Sequence, residues 1–310
     1  MMKFIEKIAW FIPASSLSIC VLAVLISSSA SAEGGQILCY DSFDAEEVEA
    51  PEHDVEPAIP LSLGSQAGGE VSVSAVTSTN FNRSGGSLKG VYPQNAEGEN
   101  YIWANCDISE FNVYEIYVEF KAKMPGTVHG IKFLKIFGQG SGGSANTTFQ
   151  NVYHSGDFEK VYFGDGTKVG NDVANVINFD GSDKALVGRS YPGATVRTPQ
   201  YKVFKADDWG PDWHHFKFKV KYNSGTSSDN EVANGEYYVE IDGKVFVDAE
   251  GLFNRHYSNK PIRKVSLFGW TQDGRDSFEV WYDDLIVSTG GFINTKYGPA
   301  VSVKRFEKRP

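Results

Sequence analysis

The stretch YEIYVEFKAK at 114–123 decides the fold class of this chain. Its even-numbered positions are Tyr, Ile, Val, Phe and Ala, and its odd-numbered positions are Glu, Tyr, Glu, Lys and Lys. Apolar and polar side chains that alternate with a period of two are typical of a β-strand with one buried face and one wet face. The pattern therefore predicts an antiparallel strand that packs on a core with one face only.

The same alternation recurs towards the C-terminus. HHFKFKVKY at 214–222 and EYYVEID at 236–242 repeat it, and Asp242-Gly243 is typical of a two-residue hairpin turn into KVFV at 244–247. Two further strands are predicted at 263–270 and 277–287. Strand follows strand through Gly-, Asn- and Ser-rich connections without intervening helices, so we expect an all-β protein with a two-sheet antiparallel β-sandwich.

The first 32 residues have the features of a secretory signal. Lys3 and Lys7 give a basic start, positions 9–26 are almost wholly apolar, and Ala30-Ser31-Ala32 fits the small-residue cleavage rule. A membrane anchor is the alternative, because about 18 apolar residues approach the length of a membrane span. Pro13 and the serines of this stretch favour export, so we expect a secreted or periplasmic protein.

The remaining chain is expected to form one domain at 33–297, followed by a basic tail at 298–310. All-β sandwiches of this size often form a single domain. No later stretch is long and apolar enough to predict insertion into a membrane. The formal net charge of −10 disfavours nucleic acid and anionic membranes as partners.

Two of the three cysteines, Cys39 and Cys106, follow the predicted signal. A lone pair of cysteines in an oxidising compartment usually forms a disulfide, so we predict a Cys39–Cys106 bridge. Two buried thiols are the alternative.

Three motifs in the C-terminal half carry a resemblance to a known family. They are WHHF at 213–216, GEYYVEIDGK at 235–244 and FEVWYDDLIV at 278–287. In this order they resemble strands of the concanavalin-like jelly rolls of the lectin and glucanase superfamily, and most closely its polysaccharide lyase members. The resemblance covers about residues 101–292 and implies a jelly-roll sandwich. It leaves the activity open, because the same sandwich is found in lectins, hydrolases and lyases.

Glycoside hydrolysis is not expected. Hydrolases of this superfamily carry Glu-x-Asp-x-Glu on one strand, whereas Glu240-Ile241-Asp242 runs into Gly243 and lacks the third carboxylate. Glu115 and Glu119 are four residues apart, which places them about 13 Å from each other on a strand. The known mechanisms need two carboxyl groups at about 5–5.5 or 6.5–9.5 Å.

Cleavage of a uronic acid polymer by β-elimination is the leading enzymatic hypothesis. It needs a base, a group that neutralises the substrate carboxylate, and a proton donor for the leaving oxygen. The candidate catalytic residues are His129, Lys132, Lys135, Arg255, His256 and Tyr257. The alternative is that they are structural, at a strand start and in a loop. The negative net charge disfavours a polyanionic substrate unless lysines concentrate in the groove.

Sugar binding without chemistry needs exposed aromatic rings and hydrogen-bonding groups. The candidate sugar-binding residues are Tyr117, Tyr238, Trp270 and Trp281, which lie on or near polar strand faces. The alternative is that some of these rings only cover the edge of the core.

A structural calcium site is the only cofactor that the sequence suggests. Asp41 and Asp44 near the mature N-terminus could meet Asp284 or its neighbour Asp283 if the first and last strands pair. A solvated acidic edge is the alternative.

The sequence thus predicts an exported protein whose partner is a polysaccharide, with β-elimination as its chemistry if it is an enzyme. A non-catalytic, lectin-like or cell-surface adhesion module is the alternative.

Overall fold

The computed structural model describes residues 36–41, 43, 61–65, 68–75, 86–94, 102–124, 131–138, 146–151, 158–164, 175–178, 183–185, 195–196, 203–209, 212–224, 232–252, 254, 261–268, 271 and 277–293. These residues belong to one compact unit. The predicted signal at 1–32 and the predicted tail at 298–310 lie outside them. Within the described ranges, no helix has the length and apolar character of a membrane span.

The described strands form two antiparallel sheets. Sheet A consists of β1 (Ile37–Asp41), β3 (Glu70–Ala75), β4 (Gly86–Tyr92), β6 (Glu115–Lys123), β12 (Thr195–Val196), β13 (His214–Lys221), β14 (Gly235–Ile241), β15 (Lys244–Leu252) and β17 (Phe278–Ser288). Sheet B consists of β2 (Ser62–Ser65), β5 (Ile102–Asp107), β7 (Lys132–Gly138), β8 (Asn146–Asn151), β9 (Phe158–Gly164), β10 (Asn175–Asn178), β11 (Asp183–Ala185) and β16 (Ile262–Leu267).

The strand order includes crossovers between the two sheets and is not a simple meander. Sheet A runs β12-β15-β14-β13-β6-β17-β4-β3, and β1 also pairs with β17. Sheet B runs β11-β10-β9-β8-β7-β16-β5-β2. The predicted all-β jelly-roll sandwich with two antiparallel sheets is confirmed.

The strands predicted from alternation are present with nearly the expected bounds. β6, β13 and β14 lie side by side in sheet A, and the alternation puts Ile116, Val118 and Phe120 of β6 into the core. The predicted turn at Asp242-Gly243 joins β14 to β15, with φ angles of 52° and 75° at its two residues. Positive φ at both central positions is the geometry that Asp-Gly adopts readily in a hairpin.

The core between the sheets is dominated by aromatic rings. Phe120 of β6 packs on Phe133 of β7 with ring centroids 5.7 Å apart, and Phe133 also contacts Tyr282 of β17 at 4.9 Å. The Tyr282 hydroxyl donates a hydrogen bond to the carbonyl oxygen of Phe133 at 2.8 Å. This bond satisfies a fully buried hydroxyl and ties β17 to the opposite sheet.

One short helix was not expected from the sequence. The single turn α1 (Ala206–Trp209) precedes β13 and inserts Trp209 into the core, where its ring contacts Phe133 and Phe158. Four residues are too few to show an amphipathic period, so the sequence pattern could not predict this turn.

The wet face predicted for β6 is partly wrong. Glu119 and Lys121 lie at polar positions of the alternation, but only 5 % and 4 % of their surfaces are exposed. Lys121 Nζ lies 2.5 Å from Asp284 Oδ2 on β17, and His215 Nε2 of β13 lies 3.5 Å from Glu119 Oε2. β6 is central in sheet A, so long side chains from both neighbouring strands cover its polar face.

His214 is held by the turn at the end of β14. Its Nδ1 lies 2.7 Å from Asp242 Oδ2, and Asp242 Oδ1 accepts the His215 N–H at 2.9 Å. Burial lowers the pKa of His214, but the hydrogen bond and charge of Asp242 outweigh burial and raise the pKa above 6.5. Burial raises the pKa of Asp242, but its bonds to His214 and His215 lower it below 3.8.

We expect Asp242→Asn to lower the free energy of unfolding by about 1 kcal/mol near pH 6, a value reduced for solvent exposure of the carboxylate. The contribution of a raised His pKa is full below 6.5 and is lost as the pH rises through the folded pKa of His214. Urea unfolding at several pH values tests this. An equal loss at pH 6 and pH 9 would show that the charge of His214 is not involved.

The two cysteines after the predicted signal meet across the sandwich. Cys39 of β1 and Cys106 of β5 are fully buried, and a hydrogen bond with the Cys106 thiol is the largest of the causes that raise the pKa of Cys39 well above 9.0. The sulfur atoms are not joined in this structure. The predicted disulfide is therefore not formed here, although the fold brings the two thiols into contact, and it stays a prediction for the oxidised protein.

Candidate functional site

Lys132 and Lys135 lie on the same outer face of sheet B because of a β-bulge. In a regular strand, residues three apart point to opposite faces. Here Lys132 pairs with position 150 of β8 and Lys135 with position 148, and the register shifts between 132 and 134. The bulge buries Phe133 and Leu134 and leaves both lysines on the face away from the core.

A third lysine joins this pair from β16. Lys264 pairs with Phe137 of β7, and Ser266 pairs with Lys135. The Nζ atoms of Lys135 and Lys264 lie 4.7 Å and 4.3 Å from the centroid of the Phe137 ring. Both ammonium groups therefore gather on one aromatic ring, which attracts cations through its electron-rich face. We call Lys132, Lys135, Lys264 and Phe137 the lysine cluster.

The cluster changes the acid–base chemistry of Lys135. Burial, followed by the charges of Lys132 and Lys264, lowers the pKa of Lys135 from 10.5 to about 8. Burial and the neighbouring Arg263 also lower the pKa of Lys264, although Asp107 acts in the opposite direction. An amine with a pKa near 8 can both donate and accept protons close to neutral pH. Its charged form gains from any bound anion.

The rest of this face is polar and comes from β5 and β16. The outward positions of β5 are Trp103, Asn105 and Asp107, and the inward ones are buried. Asn105 pairs with Ser266, which places an amide and a hydroxyl in the same row as Lys135. Lys264 pairs with Asp107 in the next row. The cluster therefore lies between hydrogen-bonding groups on one side and β8 on the other.

The remaining predicted catalytic residues are not described. His129, Arg255, His256 and Tyr257 lie outside the described residues, as do Trp270 of the sugar-binding set and Asp44 of the calcium set. In the sequence, His129 comes three residues before β7 begins at Lys132. The structure thus unites Lys132 with Lys135 among the predicted catalytic residues, and the others stay predictions.

Three of the four predicted sugar-binding residues are described, and they lie on the other sheet. Tyr117 of β6, Tyr238 of β14 and Trp281 of β17 belong to sheet A. The Tyr117 and Tyr238 rings both contact Phe292, at 5.0 Å and 5.9 Å between centroids. Lys89 Nζ lies 4.9 Å from the Trp281 ring. These rings therefore do not share a site with the lysine cluster.

The hydroxyls of the two tyrosines are also engaged. Tyr117 Oη donates to Glu115 Oε1 at 2.6 Å, and Tyr238 Oη donates to Glu240 Oε2 at 2.5 Å. Burial and then the bond to Glu115 raise the pKa of Tyr117 to about 12, and burial and then Glu240 raise that of Tyr238 above 10.0. Both rings are partly exposed, so their role in sugar binding stays a prediction.

The pairing on which the calcium prediction depended is present, since β1 lies beside β17 and Asp41 pairs with Leu285. The three described aspartates already have partners, however, and Asp283 Oδ1 accepts the Asp284 N–H at 2.9 Å. Asp284 binds Lys121, and Asp41 Oδ1 accepts the Phe43 N–H at 2.8 Å. Within the described ranges no group of three or more acidic, His or Cys residues could hold a metal ion. The residues described do not fit a calcium ion, and the site stays a prediction that depends on Asp44.

No protein-family model matches the chain, and no curated protein matches it either. Solved structures with a similar fold include an endo-β-1,4-glucuronan lyase from the fungus Trichoderma reesei. It is 12% identical, with a TM-score of 0.44, over 79% of this chain and 94% of that one. An alginate lyase from a Chlorella virus is 15% identical over 71% and 88% of the two chains, with a TM-score of 0.41. A cellulose-induced protein is 15% identical over 74% and 89%, with a TM-score of 0.43. These likenesses are of fold.

Sequence reasoning missed three members of this face, namely Lys264, Phe137 and Trp103. Lys264 lies in the strand predicted at 263–270, but a strand pattern does not say which strands become neighbours. No strand was predicted for β7, which carries Phe137. The alternation of β5 between buried and outward positions would have placed Trp103 on a polar face.

Proposed function

We propose that the outer face of sheet B binds an acidic polysaccharide at the lysine cluster and cleaves it by β-elimination. The observation that carries the proposal is the gathering of Lys132, Lys135 and Lys264, with Lys135 held at a pKa of about 8. Three ammonium groups on one face of a chain of net charge −10 give the local concentration of positive charge that a polyanion needs.

Polysaccharide is favoured over other polyanions by the neighbours of the cluster. Phe137 and Trp103 provide apolar rings, while Asn105 provides an amide beside them. Such a mixture matches sugar rings, which carry apolar C–H faces and hydroxyl edges. The net negative charge of the chain disfavours nucleic acid.

In the proposed reaction the uronate carboxylate lies among Lys132, Lys135 and Lys264, and Lys132 and Lys264 neutralise it. A base removes the C5 proton, the bond between C4 and the glycosidic oxygen breaks, and a C4–C5 double bond forms. Lys135 donates a proton to the departing oxygen, which its pKa of about 8 allows near neutral pH. We propose His129 as the base because it precedes β7 in the sequence. Arg255, His256 and Tyr257 remain candidates for the same steps.

The exported protein should be screened against alginate, glucuronan, pectate and glycosaminoglycans, with ultraviolet absorbance of the unsaturated product as the readout. We expect one of these acidic polymers to be cleaved. No product with any of them would refute the elimination chemistry. Binding of a polymer without cleavage would then favour the alternative, a non-catalytic carbohydrate-binding or adhesion module.

Binding is expected to weaken as salt is added. Contacts between exposed lysines and uronate carboxylates are screened over a distance of about 10 Å at 0.1 M ionic strength. We therefore expect Kd for the cleaved or bound polymer to rise several-fold between low and physiological salt. Lys264→Met should flatten this salt dependence, whereas Lys217→Met on sheet A is the control and should leave it unchanged. Equal salt dependence in both variants would place the binding site elsewhere.

A further inference from the structure

Trp103 lies directly over a glycine of the neighbouring strand. It pairs with Gly64 of β2. A Cβ atom at Gly64 would overlap the Cε2, Cζ2 and Nε1 atoms of the Trp103 indole. No side chain other than hydrogen fits beneath the ring in this position. Gly64 therefore allows the indole to lie against the backbone of β2.

The ring lies on the face that carries the lysine cluster. Trp103 is partly exposed at an outward position of β5, between the buried side chains of Ile102 and Ala104. Its Cα lies two strands and two residues from that of Lys135, which corresponds to about 12 Å in a regular sheet. A short oligosaccharide bound at the lysines could reach the indole.

A buried amide oxygen lies between Trp103 and the lysine cluster. Asn105 follows Trp103 on the same face of β5 and pairs with Ser266 of β16. Its Oδ1 atom is buried and has no hydrogen-bond donor within the part of the chain that the structure describes. A buried carbonyl oxygen left unpaired costs free energy, which a hydroxyl donor from a ligand would recover.

We propose that Trp103, positioned by Gly64, forms a saccharide-stacking subsite next to the lysine cluster, with Asn105 Oδ1 accepting a sugar hydroxyl. This subsite extends the site of the proposed function. It rests on that function for the direction in which the bound polymer lies. Stacking uses the C–H face of the sugar and not its charge. The subsite therefore recognises the ring shape of the polysaccharide, while the lysines recognise its carboxylates.

The test uses the whole mature protein and three probes: alginate oligosaccharides, glucuronan oligosaccharides and neutral cellohexaose. Binding is measured by calorimetry and by quenching of tryptophan fluorescence. Trp103→Ala should raise Kd by roughly tenfold for a probe that binds, since loss of an aromatic contact and its buried area is worth about 1.4 kcal/mol. Trp103→Phe should retain most of the affinity, and the fluorescence quench should disappear in both variants.

The control is Tyr114→Ala, which removes an exposed aromatic ring outside the proposed site and should leave Kd and the quench unchanged. Gly64→Val should displace the indole and weaken binding in a protein that keeps Trp103. Thermal unfolding of each variant shows whether the protein is folded. Asn105→Asp, which keeps the size of the side chain, should weaken binding of the acidic probes more than that of cellohexaose.

The outcomes separate this inference from the proposed reaction. If a probe binds and Trp103→Ala weakens it while no unsaturated product forms, the subsite stands and the elimination proposal fails. If polymer is cleaved but Trp103→Ala binds as tightly as the wild type, the subsite is refuted and the lysine site stands. If none of the three probes binds, the subsite is refuted as well.

Discussion

Lys135→Met is expected to reduce the rate of elimination by at least about a hundredfold, the usual size of a proton-transfer contribution. The variant cannot protonate the leaving oxygen, whereas Lys132 and Lys264 still attract the polymer. We therefore expect the loss mainly in kcat. Lys135→Arg keeps the charge but has a pKa far too high to release a proton. It should bind as the wild type does and remain nearly inactive.

Lys135→Met should also raise the stability of the protein. The folded pKa of Lys135 is about 8, below its ordinary 10.5, so the folded state disfavours the charged amine. Removing the amine should raise Tm at pH 7, and the gain should shrink as the pH rises from 8 towards 10.5. Lys217→Met removes a lysine that lies 3.5 Å from Glu240 and should give no such gain.

The kcat and Tm measurements can each contradict the role proposed for Lys135. An unchanged kcat in Lys135→Met would remove Lys135 from the chemistry, whatever happens to stability. A Tm difference that does not depend on pH would show that packing of the methionine side chain, rather than loss of the lysine charge, changes the stability. Uptake of protons near pH 8 when the polymer binds, seen by calorimetry in two buffers, would support Lys135 in its proposed place.

Oxidation of the Cys39 and Cys106 thiols is expected to stabilise the protein by about 4 kcal/mol, as the closing of a loop of this length predicts. The bond would join β1 of sheet A to β5 of sheet B through the core. Both thiols are fully buried, and the raised pKa of Cys39 keeps it protonated in the folded state. Oxidation should therefore occur during folding rather than after it, because the thiolate is the reactive form.

Urea unfolding with and without reductant measures this difference. The control is Cys39→Ala with Cys106→Ala, in which reductant should have no effect. Thiol titration of the denatured protein, produced in an oxidising compartment, should find neither cysteine reactive before reduction. Two reactive thiols in that protein would refute the bridge and leave the contact as a packing feature.

The strands of sheet A could be predicted because alternation is a local property. β6, β13 and β14 each show it within ten residues, and the Asp242-Gly243 turn fixes how the last of them pairs with β15. The pairing of β1 with β17 joins the two ends of the described chain. It was considered only as a condition of the calcium prediction.

The site could be predicted only in part, because a period of two assigns Lys132 and Lys135 to opposite faces. The bulge that brings them together leaves no sign in the pattern, since Phe133 and Leu134 are both apolar. Lys264 joins them through the pairing of β7 with β16, which local sequence does not encode. Each feature of the site that the sequence did not predict depends on contacts between residues far apart in the chain.

The surroundings of Tyr117 and Tyr238 could not be predicted for a related reason. Tyr117 and Tyr238 do lie at polar positions of their strands, as the alternation indicates. Phe292, which contacts both rings, comes from the segment that follows β17. A pattern read along one strand contains no information about a later segment that lies against its polar face.

The place of β17 in sheet A has a consequence for the order of events during synthesis. This strand pairs with β1, β4 and β6, so the first strand of the described chain and two central ones lack a neighbour until the last strand has been made. Pairings between residues so distant in sequence also form slowly. The nascent chain therefore exposes unpaired strand edges until β17 has been made, and chaperones that hold unfolded chains should associate with it for that whole period.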